Sequence, residues 1–301
     1  MNEHSHLKNL INLGFLLDEK IKDRIEGLSE EEFFKLIENL KKENIFIINE
    51  EVLKNLLSED VKIIRCLSKE ERFNVQDYVR NLNERYNFLQ NILMKKLELQ
   101  NIVSINKASD GNVSVIGLVK EREEKLDNII IYLEDPTGEI KAILPKKLGE
   151  KIFLDDVIAL VGSIRDGILN ADKILFPDAP LKPVNHSKEP VRVAFLPEKR
   201  VDADYIIFDN KITDNVKGKE VSIANPCILK INDIVILIAL GFDPLEILKK
   251  RYANIDDTDF LIEPSPDIVF TDKDINANYK SISIVSRNKL IDLKTREVIS
   301  I

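Results

Sequence analysis

The stretch that decides the fold runs from Ile129 to Leu144, I-I-I-Y-L-E-D-P-T-G-E-I-K-A-I-L. Ile129-Ile131-Leu133 and Ile140-Ala142-Leu144 recur with period two on either side of Asp135-Pro136-Thr137-Gly138, four residues with turn chemistry. The pattern predicts a β-hairpin. Upstream, Val113-Val115-Gly117-Val119 alternates in the same way. Downstream come Val157-Ala159-Val161 and Ile168-Leu169-Ala171-Ile174, each set off by charged or glycine-containing turns. Five strands in about 70 residues, with Gly117 inside the first where a small barrel must coil sharply, predict an OB-fold barrel.

Working outward, residues before the barrel read as helices. Leu7, Leu10, Ile11, Phe15 and Leu16 share one face; Ser29-Glu30-Glu31-Glu32 is a capping signal ahead of Phe33 and Leu36; Asn49 can cap a turn carrying Val52, Leu53, Leu56 and Leu57. A charged link, Ser58 to Phe73, leads to a long amphipathic helix expected over Val75 to Leu99, whose apolar stripe needs a partner surface and is expected to lie on the barrel. After the barrel, Leu181 to Pro190 reads as a linker. The rest is strand-rich, with strands expected at Val191–Phe195, Tyr205–Phe208 (buried), Val221–Ile223, Cys227–Ile231, Ile234–Ile238, Asp267–Phe270, Tyr279–Val285, Leu290–Leu293 and Val298–Ile301, and one helix from Pro244 to Tyr252 capped by Asp243. The domain boundaries read as 1–60 helical, 61–102 linker and long helix, 103–180 barrel and 181–301 last domain.

Composition limits the function classes. The 301 residues carry 44 basic and 52 acidic side chains, a formal net charge of −8. The three segments 1–102, 103–180 and 181–301 hold 16 and 19, 10 and 14, and 18 and 19 basic and acidic residues, so none offers the basic field that phosphate binding uses. Lys146-Lys147 and Lys249-Lys250-Arg251 read as solvated helix ends or turns. No apolar run is long enough to span a bilayer and Met1 to His6 lacks a signal-peptide core, so a cytoplasmic protein is expected, without a membrane partner. Cys66 and Cys227 lack the spacing of a zinc or redox site and read as separate buried thiols in a reducing compartment.

Ser114 to Val119, Leu133 to Gly138 and Phe176-Pro177-Asp178-Ala179-Pro180, in that order, resemble the barrel domain of the small (B) subunit of archaeal family-D DNA polymerase. Asp77-Tyr78-Val79, Glu84-Arg85-Tyr86 and Leu89 to Leu93 are similar to the segment before it. The resemblance implies an α+β multidomain chain: an N-terminal helical attachment domain, an OB-fold barrel and a calcineurin-like phosphoesterase α/β sandwich. On the barrel it marks Gly117, Glu134, Asp135, Pro136, Thr137, Gly138, Pro177 and Asp178 as structural motif residues.

In that family the last domain holds two metal ions through Asp, His and Asn at strand ends, the arrangement that clamps both oxygens of a phosphodiester displacement. Here Glu198-Lys199-Arg200 stands in place of Asp-x-His, Leu240-Gly241 in place of His-Gly, and Asp272-Lys273-Asp274-Ile275 in place of Gly-His-x-His, while Asn225-Pro226 and Pro266-Asp267 match. The degenerate ligand positions are therefore Glu198, Arg200, Leu240, Lys273 and Ile275. The three histidines, His4, His6 and His186, lie outside the strand-rich region, and Glu198, Asp202, Asp204, Asp209, Asp272 and Asp274 read as solvated acids. No metal, cofactor or catalytic residue is expected. The chain reads as a non-catalytic scaffold for the large catalytic polymerase subunit, meeting DNA mainly through the complex; eukaryotic B subunits that lost their ligands are a precedent. Two alternatives stand beside it. An active metal-dependent 3′-5′ exonuclease is opposed by the missing imidazoles. A free-standing single-strand-binding barrel is opposed by the negative charge and by a barrel region whose aromatics are Tyr132, Phe153 and Phe176.

Overall fold

The computed structural model of the chain describes residues 6–42, 45–50, 52–53, 61–67, 75–199, 201–209, 215–217, 220–255 and 258–301. The first part contains α1 (His6–Asn12), β1 (Leu16–Leu17), α2 (Lys22–Glu26), α3 (Glu30–Lys42) and β2 (Ile47–Ile48). The helices pack Leu10, Ile25, Phe33, Leu36 and Leu40 into one core. Asn49 caps as expected, its Oδ1 accepting from Val52 N at 2.8 Å, whereas Leu56 and Leu57 lie outside the described residues. The parallel pairing of Leu16 with Ile47 was not legible, because two-residue strands carry no period.

The charged link of the sequence reading contains a strand, β3 (Val61–Cys66). It pairs antiparallel with a strand of the last domain and contributes Val61, 4% exposed, to that domain's core, which corrects the reading of this span as a charged link. A second correction follows from it. Cys66 lies opposite Cys227 and the two form a disulfide rather than separate thiols. Next comes α4 (Val75–Met94), five residues shorter at its C-terminus than expected; Leu97, 94% exposed, is not part of the buried stripe. The stripe packs on the outside of the barrel as expected, Tyr86, Leu89 and Leu93 against Ile116, Leu118 and Val157.

The barrel consists of β4 (Gly111–Glu124), β5 (Asn128–Asp135), β6 (Gly138–Pro145), a single turn α5 (Lys146–Gly149), β7 (Val157–Arg165) and β8 (Ile168–Leu175). It closes in the order β4-β5-β6-β8-β7, with β6 and β8 parallel and the other pairs antiparallel, the strand order of an OB fold. The alternation read from sequence fills the interior with Val115, Ile131, Leu133, Leu144, Leu160 and Leu169. Two register shifts, near Lys120 on β4 and at Gly162 on β7, bend the strands around it. Gly117 sits where a Cβ would come within 3.0 Å of the Glu134 carbonyl oxygen.

The last part contains β9 (Arg192–Phe195), β10 (Tyr205–Asp209), β11 (Asn215–Lys217), β12 (Glu220–Ile223), β13 (Cys227–Ile231), β14 (Ile234–Ile238), α6 (Pro244–Lys250), β15 (Tyr252–Ile255), β16 (Thr258–Leu261), β17 (Ile268–Thr271), β18 (Ala277–Tyr279), β19 (Ile282–Ser286), β20 (Lys289–Asp292) and β21 (Val298–Ser300). Two six-stranded sheets, β11-β12-β10-β9-β20-β21 and β18-β19-β17-β14-β13-β3, share a core in which the rings of Phe195 and Phe270 stack at 4.4 Å. On the far face of the second sheet, Ile247 and Leu248 of α6 cover Leu237, Val269 and Ile284. Asp243 caps α6, its Oδ1 accepting from Leu245 N and Glu246 N.

Where an α/β sandwich was expected, α6 is the single helix among the described residues after 190. The span Tyr279 to Val285 is two strands, because the chain turns at Lys280 with φ 56°. β10 is only half-buried: Ile207 faces the core while Ile206 and Phe208 lie on an outer face left partly open. No helix among the described residues is long and apolar enough to cross a membrane.

Candidate functional site

Of the positions read from the family's motifs, Asn225, Leu240, Gly241 and Asp272 lie together at one end of the second sheet. Asn225 and Leu240 bond reciprocally, Leu240 N donating to Asn225 Oδ1 at 2.8 Å and Asn225 Nδ2 to Leu240 O at 3.0 Å. Gly241 N donates to Asp272 Oδ1 at 2.9 Å. Asn225, Leu240, Gly241 and Asp272 thus meet, with their polar atoms engaged in joining loops. The Asn225–Pro226 bond is cis. Lys273 and Ile275 follow in a tight turn, Ile275 N donating to Lys273 O at 2.8 Å, and Ile275 packs into the core under α6.

Glu198 goes elsewhere: its backbone N donates to Asn288 Oδ1 at 2.9 Å and its Oε1 accepts from Asn288 Nδ2 at 2.7 Å. Arg200 lies outside the described residues. Asp202 pairs with Arg192 at 3.3 Å, and Asp204 accepts from Arg192 N. Asp267, 1% exposed, is a tie point: it accepts from Lys182 Nζ at 2.7 Å, Val235 N at 2.9 Å and Asn185 Nδ2 at 3.3 Å, fastening the segment read as linker to the sandwich beside Pro266. Among the described residues no three of His, Cys, Asp and Glu are grouped to hold a metal.

The barrel motif residues form one packed corner. Asp135 Oδ1 accepts from Thr137 N, Thr137 Oγ1 and Gly138 N at 2.7, 2.6 and 3.0 Å, and its Oδ2 accepts from Ile105 N at 2.9 Å, while Thr137 Oγ1 accepts from Asn106 N. The turn Asp135-Pro136-Thr137-Gly138 therefore pins the chain that enters the barrel. Glu134 lies 3.7 Å from Lys120. Asp178, next to Pro177, joins barrel to sandwich: its carboxylate accepts from Tyr279 OH at 2.9 Å and pairs with Lys280 at 2.8 Å, and Asp178 N donates to Lys249 O. Burial and the Asp178 carboxylate push the Tyr279 hydroxyl well above its ordinary pKa.

A second joint, unread in the sequence, lies where α4, the barrel and the β15–β16 hairpin meet. Arg85 Nη1 pairs with Asp259 Oδ1 at 2.8 Å, and the guanidinium stacks 4.6 Å over Tyr252, whose hydroxyl donates to Asp156 at 3.2 Å. Lys250 completes it, 2.9 Å from Asp156 and 2.7 Å from Glu246, over the ring of Phe153. Arg251, 5% exposed, donates from Nε and Nη2 to Ile262 O. Lys250 and Arg251 are buried joints, not the solvated turn expected from their run of charge; of the two clusters, only Lys146-Lys147 keeps an exposed setting, Lys146 pairing with Glu124. Burial raises the pKa of both Asp156 and Asp259, with Lys250 and Arg85 opposing the shift.

Fold and site together define a chain in which an OB-type barrel is fastened through buried polar joints to a two-sheet sandwich. No family model matches the chain. Among curated proteins it is similar to the DNA polymerase II small subunit of Archaeoglobus fulgidus, 28% identical over 225 residues, which is 70% of this chain and 44% of the relative. It is also similar to the DNA polymerase II small subunit of Pyrococcus furiosus, 33% identical over 139 residues, 43% of this chain and 23% of the relative. The resemblance read from the barrel motifs is borne out, and the match spans less than half the length of these relatives. Among solved structures, a domain of replication protein A from Methanococcus maripaludis aligns with 24% of this chain and 91% of its own, at 18% identity and a TM-score of 0.23.

Proposed function

We propose that this chain is a non-catalytic accessory subunit acting in DNA replication, a counterpart of the family-D polymerase small subunit that holds a large catalytic subunit. The observation that carries the reading is the similarity to DNA polymerase II small subunits. We read the sandwich as a phosphoesterase-like domain stripped of its chemistry: a cation, Lys273, and two aliphatic side chains, Leu240 and Ile275, stand at ligand places, and the Asn225 amide is spent on the backbone. A sheet sandwich outlives its metals because its strands bury apolar surface whether or not ions sit at their ends.

The docking face is the outer side of β10, where a groove of about 780 Å³ is lined by Val201, Ile206, Phe208 and Pro197. In a phosphoesterase this side of the sheet would be covered by helices. Co-expression of the full chain with the large polymerase subunit from the same genome tests the proposal: a stable complex, weakened by Ile206→Lys, is expected, and no complex with the wild-type chain would overturn it. The exonuclease reading meets its own test in the same preparation. Mn²⁺-dependent degradation of single-stranded DNA that disappears in Asp272→Ala would replace the scaffold reading with a catalytic one.

A further inference from the structure

The disulfide joins β3 covalently to β13, two strands 161 residues apart in sequence at the bonded cysteines. Of the strands of the second sheet, β3 alone comes from before the barrel, and it is an edge strand whose partner is β13. Its pairing is broken by a register shift: Val61, Lys62 and Ile63 oppose Ile231, Lys230 and Leu229, then Arg65 and Cys66 oppose Ile228 and Cys227. Beyond the shift, two residue pairs and one covalent bond, aided by Leu67 N donating to Pro226 O, hold the end of β3.

The two cysteines differ in exposure. Cys227 is 0% exposed inside the core, whereas Cys66 is partly exposed and lines an open groove of about 190 Å³ between β3, α4 and β16. That volume equals about six water molecules at ~30 Å³ each, room for a small aliphatic dithiol. Arg65, whose Nη1 donates to Leu261 O at 3.3 Å, and Arg80 line the groove together with Glu84 and with Asp259, which is paired with Arg85. An incoming thiolate, the species that carries out exchange, therefore meets two cationic side chains and the Glu84 carboxylate there.

We propose that Cys66 is a thiol-exchange site and that the Cys66–Cys227 bond is a redox-sensitive clamp on β3, opened by a small dithiol. A thiolate of the dithiol attacks Cys66 Sγ; the bond to Cys227 breaks, and its electron pair leaves on the Cys227 sulfur, which takes a proton. The second thiol of the reagent then attacks the mixed disulfide, releasing Cys66 as a thiol. The protein gains two electrons and two protons and the dithiol departs as a cyclic disulfide. With the bond open, the end of β3 is held past the shift by two residue pairs and the Leu67–Pro226 hydrogen bond without a covalent tie, so it opens more readily from the edge of β13.

The test uses the full chain, prepared without reductant and treated natively with dithiothreitol. Before treatment, denatured protein is expected to take up no iodoacetamide; after it, two equivalents. Hydrogen exchange at residues 61–66 should rise on reduction while the barrel strands stay protected. In single-cysteine variants, Cys66 in Cys227→Ser should react with Ellman's reagent at least about tenfold faster than Cys227 in Cys66→Ser, as access controls the rate. Alkylation of the untreated chain, unchanged exchange at residues 61–66, or equal reactivity of the two thiols would each overturn the proposal.

Discussion

Arg85 and Asp259, separated by 174 residues in sequence, form an ion pair at 2.8 Å with side chains only 2% and 6% exposed. The Arg85 atoms Nε and Nη2 are buried with no hydrogen-bond partner, so Asp259 and the Tyr252 ring are what offset the desolvated guanidinium. Removing Asp259 alone leaves that charge uncompensated, and Asp259→Ala is expected to cost about 3–5 kcal/mol. The double variant Arg85→Met, Asp259→Leu should cost less than the single one. Urea unfolding of the wild type and the two variants checks this, and a double variant that loses at least as much as Asp259→Ala would overturn it.

Asp156 gives a pH dependence with a definite sign. Burial raises its pKa above the ordinary value, so the folded chain retains a proton that the unfolded chain has released. Its contribution to stability is present in full below the unfolded value and is lost as pH rises through the raised folded value. The stability advantage of the wild type over Asp156→Asn should therefore shrink as pH rises from about 3.5 to 7 in urea melts. An advantage that grows with pH would show that the attraction of Lys250 outweighs burial.

Gly162 is the tightest glycine of the barrel. A Cβ there would lie 2.0 Å from Asn170 O and 2.8 Å from Ala171 Cα, both backbone atoms that can move only with β8. Gly162→Ala is expected to destabilise by about 3 kcal/mol or more, and Gly117→Ala, whose nearest contact is 3.0 Å, by roughly 1–2 kcal/mol. Thermal melts rank the two; the reverse order would place the critical bend on β4.

Asp178→Ala should loosen the joint between barrel and sandwich without unfolding either core. Tyr279 and Lys280 lose their shared acceptor, a loss of about 1.5–3 kcal/mol for bonds to a charged group. Hydrogen exchange at Ala179, whose amide donates to Asp178, should accelerate while β14 and β17 stay protected. Uniform acceleration across the sandwich would make the residue part of global stability instead.

Weak intrinsic affinity for DNA follows from the formal net charge of −8 spread over all segments, because non-specific binding comes largely from counterion release. Fluorescence anisotropy with labelled single strands near ~150 mM salt should give a Kd weaker than about 1 μM. Tighter binding by the isolated chain would favour the single-strand-binding alternative.

The barrel was legible because its core is written in local alternation: the hairpin from Ile129 to Leu144 predicts both strands and their turn, and Gly117 marks a close approach. Gly162 escaped notice because a glycine beside a serine in a strand reads as filler until Asn170 is seen across from it. The same blindness to distant partners explains the larger misses. Lys250 and Arg251 look solvated until Asp156 and Ile262 are brought to them, and Cys66 looks solitary until β3 lies on β13. Among the ligand-replacing positions, the sequence pattern showed neither that Asn225, Leu240, Gly241 and Asp272 meet nor that the Asn225 amide is consumed by the Leu240 backbone.

Because β3 precedes the barrel yet belongs to a sheet whose other strands follow it, α4 and the barrel are topologically an insertion within the sandwich. On the ribosome β3 emerges early and then waits for β13 while the 161 residues from Cys66 to Cys227 are added, roughly 10–30 s at about 5–20 residues per second. The five contiguous barrel strands can close during that interval. The sandwich is finished last around a strand made first, and a truncation that starts after Cys66 removes an edge of it along with the N-terminal helices.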